Sequence, residues 1–158
     1  LGPHFPELDL GKATQFAVLH DKLEIFTGDD LAVGLSGTGQ DSHAFNDELR
    51  QNKLDREHRA LVQYLASLPG DVAAFQAPLF DEYHAKISPE ALFVNALDKM
   101  QVLVRILYAK DKDTGPFGGA RHEVWWKFIE NYQRPKIAQF PALVPYGEEL
   151  LRRIKVKR

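Results

Sequence analysis

The stretch Leu19-His-Asp-Lys-Leu-Glu-Ile-Phe-Thr-Gly-Asp-Asp30 decides how the rest of the chain is read. It places a histidine and an aspartate side by side at His20 and Asp21, a glutamate at Glu24, and an acid at Asp29 behind the turn glycine Gly28. If the segment is helical, Glu24 shares a face with His20 and Asp21 one turn away. Adjacent residues point about 100° apart around a 3.6-residue turn, so His20 and Asp21 grip one ion only from a helix edge. A second helix must then supply further ligands. The plain alternative is the polar end of an ordinary helix followed by a common Thr-Gly-Asp turn.

Working outward, a helix is expected from about Asp9 to His20, on the apolar residues of PELDLGKATQFAVLHD. DDLAVGLSGTGQDS is rich in glycine and reads as a loop; it lacks the Lys-Ser/Thr that completes a P-loop, so its phosphate-binding signal is weak. A long helix should run from about His43 to Leu68, capped by Ser42 and stopped by Pro69-Gly70. Asp71 is expected to cap the next helix, with Pro78 as a kink. Ser88-Pro89-Glu90 combines an N-cap, a first-turn proline and a first-turn acid, and opens the most apolar helix of the chain. KDKDTGPFGG is expected to be a loop, and HEVWWKFIENY and LVPYGEELLRRI two shorter helices. Strand signals are nearly absent, so the chain reads as all-α.

Asp98 is the candidate partner for the His20-Asp21 pair. It sits in LFVNALDKMQVLV, and an ionised carboxylate among such residues is costly unless it meets a cation or hydrogen-bond donors. A metal is one solution and a neighbour such as Arg105 another. Imidazole nitrogen with carboxylate oxygens suits Zn²⁺, Mn²⁺, Fe²⁺ or Co²⁺ better than Mg²⁺. Such an ion lowers the pKa of a bound water and braces a phosphoryl oxygen. Glu24 is then placed to move a proton, and Asp29 to hold the substrate or protonate the leaving oxygen.

Composition bounds the rest. At 158 residues, with 44 % hydrophobic and 27 % charged residues, the chain has the make-up of one globular domain. A net charge of −2 gives no general reason to bind DNA, RNA or anionic lipid. No apolar run reaches the roughly 20 residues of a membrane helix. The absence of cysteine excludes disulfides and thiolate chemistry and fits a cytoplasmic setting. The basic tail LLRRIKVKR reads as complementing a helix C-terminus. His43, His58, His84 and His122 read as surface or helix-face residues. Of Trp125 and Trp126, one is expected in the core and the other at a dimer contact.

The string His20-Asp21-x-x-Glu24-x-x-Thr27-Gly28-Asp29, followed by DEYHAKISPEALFVNALDKMQ, resembles the HD-domain phosphohydrolases, most of all their 5′-deoxynucleotidase branch. The resemblance runs from FPELDLGKATQFAVLHD to about Met100. It implies a single-domain α-helical bundle over residues 1–158 around one divalent transition metal. By resemblance His20, Asp21 and Asp98 are metal ligands, Glu24 and Asp29 the catalytic acids, and Glu82 a residue near the substrate. The implied activity is hydrolysis of a phosphate monoester, a (deoxy)nucleoside 5′-monophosphate or similar small phosphorylated metabolite, by a homodimer. A non-catalytic HD module that binds a nucleotide or protein is the alternative. The family's first metal histidine lies on a helix upstream of the HD pair, whereas only 19 residues precede His20 here and His4 falls in the connector. With Leu1 as the first residue, the missing helix is expected upstream in the gene product. Lys22 also departs from the family, where a small or apolar residue follows the pair, and is expected to face water.

Overall fold

A computed structural model of the protein describes residues 4–30, 33–36, 38–108 and 122–157. Among these every regular element is helical and there is no strand, as the sequence leads one to expect. The elements are α1 (Leu10–Leu19), α2 (Glu24–Thr27), α3 (Asp47–Ala66), α4 (Gly70–Ala85), α5 (Pro89–Tyr108), α6 (His122–Phe128), a π-helical turn (Ile129–Gln133), α7 (Arg134–Ala138) and α8 (Val144–Lys157). They form two compact units, Leu1–Asp30 with Gln51–Val94, and Leu31–Arg50 with Asn95–Arg158.

The first unit is organised around α1. Asp9 caps it by accepting a hydrogen bond from the Lys12 amide at 3.0 Å. The Asp9 amide in turn donates to the buried carboxylate of Glu90, in the first turn of α5. Leu19 and Leu23 pack with Ala60, Leu61 and Tyr64 of α3 and Phe80 of α4 in one buried cluster. Phe16 is wholly buried, its ring 5.7 Å from Tyr83. The run PEALF begins α5 as expected, with Ser88 as its cap and Phe93 against Phe5.

In the second unit, the rings of Trp125, Phe128, Tyr132 and Phe45 follow one another at 5.6–5.7 Å. Arg134 forks onto Glu148 at 2.8 and 2.9 Å, which ties α7 to α8. Trp125 is the core tryptophan; Trp126 is half-buried beneath Lys155, whose ammonium lies 5.0 Å from its ring. Arg152 and Arg153 both engage Glu149, so these two cations of the tail serve the helix itself.

Several boundaries differ from expectation. The long helix begins at Asp47, not near His43: Ser42 is buried and its hydroxyl accepts from Ala44, while Asn46 caps α3 through the Leu49 amide. Within the interrupted stretch 43–46, the Phe45 ring lies edge-on to Tyr132 at 5.7 Å. At α4 the cap position is Pro69, and Asp71 sits in the first turn. Helix α4 runs on through Pro78. The expected helix HEVWWKFIENY is realised as α6 running into the π-helical turn, while α7 has no counterpart in the sequence reading. KDKDTGPFGG lies outside the described residues.

Candidate metal and phosphate site

The chain between α1 and α2 does not continue as α-helix. His20 closes α1, and the following amides reach back three residues, Lys22 to Leu19 and Glu24 to Asp21, each at 3.0 Å. Three-residue spacing eclipses side chains at i and i+3, which sets Glu24 over Asp21. A regular helix would have spread them about 60° apart. Gly28 ends α2 at φ 73°, a conformation glycine adopts without a Cβ penalty, and so turns the chain into Asp29 and Asp30.

His20 carries the most informative geometry. Its Nδ1 lies 2.8 Å from the carbonyl oxygen of Ala17, which can only accept, so Nδ1 holds the proton. In the neutral ring Nε2 then keeps its lone pair; the atom is buried and without a hydrogen bond among the described residues. The same atom stands 3.0 Å from Asp21 Oδ2, too poorly aligned to be a hydrogen bond. A lone pair and a carboxylate oxygen at that distance repel unless a proton on Nε2 or a metal cation lies between them. Two ligand atoms roughly 2.0–2.2 Å from one ion, at a right angle, stand about 3 Å apart. The anchored Nδ1 is also the usual way a protein fixes the tautomer of a metal-binding histidine. His20 and Asp21 therefore fit a divalent ion. Among the described residues no group of three or more His, Cys, Asp or Glu is assembled as a ligand set.

Glu24 is the titrating residue of the segment. Burial pushes its carboxyl up to about 7, and the charges of Asp21 and Asp29 add to the rise, while Lys53 and His20 oppose it. The cation on α3 is one member of a face that the sequence reading did not single out. Arg56 forms a close ion pair with Asp30, Lys53 acts on Glu24, and Tyr64 receives Lys22. The signal was present: positions 53, 56, 60 and 64 recur at helical spacing. Lys22 does not face open water as expected. It is half-buried and donates to the Tyr64 hydroxyl at 3.2 Å, which donates to Gln76 at 2.7 Å.

Asp98 belongs to the second unit, in α5, where it pairs with Lys99 at 2.5 Å. Glu82 is held by a close ion pair with Lys12 and a hydrogen bond from Ser88, which lower its pKa. His58 and His84 are exposed on α3 and α4, as expected of helix-face residues. The glycine-rich loop turns out to cradle an anion of its own. The Leu35 and Ser36 amides donate to Asp41 Oδ2 at 2.7 and 2.9 Å, and the Ser36 hydroxyl also donates to that carboxylate. These donors hold the Asp41 carboxyl down at about 2. Gly34, at φ 68°, is required there because a Cβ would collide with the carboxylate. A phosphate is not needed to satisfy this loop.

All-helical architecture and the HD segment together define a class, and comparison with known proteins agrees with it. A family model described as HD domain matches residues 1–139, and the chain belongs to the HD-domain family, a phosphohydrolase family whose domains generally bind divalent metals. It is similar to the 5′-deoxynucleotidase HDDC2 of Bos taurus, at 24 % identity over 132 residues, covering 84 % of this chain. The chain spans 58 % of the length of that relative. No solved structure matches the chain. No described helix is long and apolar enough to cross a membrane.

Proposed function

We propose that the protein is a metal-dependent phosphohydrolase that cleaves a phosphate monoester, with a (deoxy)nucleoside 5′-monophosphate as substrate, and acts as a homodimer. The observation that carries this reading is the buried, unbonded Nε2 of His20 set 3.0 Å from the Asp21 carboxylate. The likeness to a protein named 5′-deoxynucleotidase supports the substrate class.

His20, Asp21 and Asp98 would hold the ion. When bound, a divalent cation supplies Lewis-acid polarisation and a more acidic water. Glu24, poised near neutral pH, accepts the proton of the attacking water as the phosphorus–oxygen bond to the leaving group breaks. Asp29, fixed by the Gly28 turn, orients the substrate or returns a proton to the departing 5′-oxygen. Ala17 fixes Nδ1 of His20 and so leaves Nε2 as the ligand atom, and Arg56 holds the Asp30 end of the segment so that Glu24 and Asp29 stay in register. Glu82 acts near the substrate only if its pairing with Lys12 opens.

The test is phosphate release from a panel of deoxyribonucleoside and ribonucleoside monophosphates with added Mn²⁺ or Co²⁺, beside Asp21→Ala and Asp98→Ala. Release that requires the metal and both aspartates supports the hydrolase. Nucleotide binding without release in any metal would instead support the non-catalytic module.

A further inference from the structure

Lys22 follows the His20-Asp21 pair directly, yet its ammonium is held by a neutral group from another helix. It donates to the Tyr64 hydroxyl at 3.2 Å, and no carboxylate among the described residues pairs with it. The ammonium stands 5.7 Å from the centre of the Tyr64 ring, so it lies out beyond the hydroxyl and not over the ring face. Tyr64 is buried, with the rings of Phe80 and Phe26 set steeply against it at 5.6 and 6.4 Å. Its own proton goes to Gln76 Oε1 on α4, at 2.7 Å. A hydroxyl that donates to one partner becomes a better acceptor for the next. The chain Lys22–Tyr64–Gln76 thus has one direction from end to end, and all three residues belong to the first unit.

A charged acceptor is nearer along the chain. Asp21 is the preceding residue, and its carboxylate is largely exposed. Adjacent side chains leave a helix about 100° apart, but lysine carries its charge on a flexible four-carbon stem that can bridge such an angle. A carboxylate also holds an ammonium more strongly than a hydroxyl does. A Lys22–Asp21 pair would set a cation against the carboxylate whose Oδ2 stands 3.0 Å from His20 Nε2. Any ion bound by that pair would then have to compete with the lysine.

We propose that Tyr64 is a positioning residue: its hydroxyl, backed by Gln76, parks the Lys22 ammonium away from Asp21 and keeps that carboxylate open to a divalent ion. The proposal rests on the metal reading of His20 and Asp21. It adds to that reading a residue on α3 that acts on the ion only through Lys22.

The experiment measures Co²⁺ affinity, by calorimetry and by the visible absorption of the bound ion, on metal-depleted full chain. Native protein is compared with Tyr64→Phe, Lys22→Met and the double variant. Phenylalanine keeps the ring that packs on Phe80 and Phe26, and methionine keeps most of the lysine stem without its charge. Tyr64→Phe is expected to bind Co²⁺ about threefold to fivefold more weakly, the size of an exposed ion pair set against the metal. Lys22→Met should bind at least as tightly as native protein, and the double variant should match Lys22→Met. A hydroxyl that only supports the fold gives a different result, because removing the lysine charge would then restore nothing. A double variant as weak as Tyr64→Phe overturns the proposal, as does a Lys22→Met that binds more weakly than native protein. If Tyr64→Phe does not fold, Gln76→Leu takes its place, since it leaves ring and hydroxyl intact and loosens the hold on Lys22. Its smaller loss of affinity should vanish beside Lys22→Met; no loss, or a loss that persists, overturns the proposal. Native protein that binds no Co²⁺ sinks the metal reading and the proposal together. Native binding that Tyr64→Phe leaves unchanged sinks the proposal alone.

Discussion

His20 is half-buried and Gln133 wholly buried, both carry buried ring or amide atoms with no hydrogen bond among the described residues, and they differ in how the chain brings them to that state. His20 is half matched by its own helix: the Ala17 carbonyl three residues back fixes one nitrogen and thereby aims the other. Gln133 has no such local anchor, and its burial depends on the packing of the second unit. An unmatched atom aimed by local backbone can be suspected from a motif. One created by packing cannot, because nothing in Asn-Tyr-Gln-Arg-Pro distinguishes it from a surface turn.

The sharpest way to break the comparison is to remove Asp21. Under the hydrolase reading Asp21→Ala lowers metal-dependent phosphate release by about 10³-fold, equivalent to about 4 kcal/mol of barrier. The fold should persist, because Asp21 is largely exposed, and the far-ultraviolet circular dichroism should be unchanged. Retention of full activity would leave the 3.0 Å approach to His20 without function.

Next in size is the support under the HD segment. Phe80 is buried against the cluster that holds Leu19 and Leu23, so Phe80→Ala should cost about 3–5 kcal/mol in urea unfolding. If metal affinity falls with it in protein that is still folded, positioning of His20 depends on that cluster as well as on Ala17.

Glu24 gives an intermediate effect with a definite sign. Its folded pKa is raised from 4.5 to about 7, so the folded state binds the extra proton. Its favourable contribution is present below about pH 4.5 and is lost as pH rises through about 7. In metal-free protein Glu24→Gln should therefore be stabilised relative to the native chain at pH 8, by roughly 1–2 kcal/mol after allowing for solvent screening, and nearly unchanged at pH 4. A Tm difference that does not grow with pH would show that Glu24 is not perturbed by its neighbours.

The smallest effect is at the end of α4. Lys86 holds φ 50° while its ammonium lies 3.9 Å from the Tyr83 ring. Lys86→Gly should remove roughly 1 kcal/mol of left-handed backbone cost and lose a cation–π contact of similar size, leaving stability within about 0.5 kcal/mol. A larger gain or loss in chemical unfolding would show which of the two dominates.

Much of the fold was legible because its signals are local. Asp9, Ser88 and Pro89 mark helix starts through side-chain hydrogen bonds and fixed φ within three residues of the boundary. The misplaced start of α3 shows the limit: Ser42 is a sound cap by composition, but Asn46 takes that role and the helix starts at Asp47. Lys22 was misread because its partner Tyr64 is 42 residues away. The glycine-rich loop was legible as a loop, but its own Asp41 as the bound anion was not.

The sequence by itself determined the helical class, the caps, and the HD segment with its Gly28 turn, because periodicity, capping chemistry and glycine's freedom at positive φ act over a few residues. Only the tertiary structure decided which groups lose their water. Burial by distant neighbours raises the pKa of Glu24, lowers that of Lys136, and leaves Gln133 without a partner among the described residues. That term depends on what packs around a residue and not on what precedes or follows it.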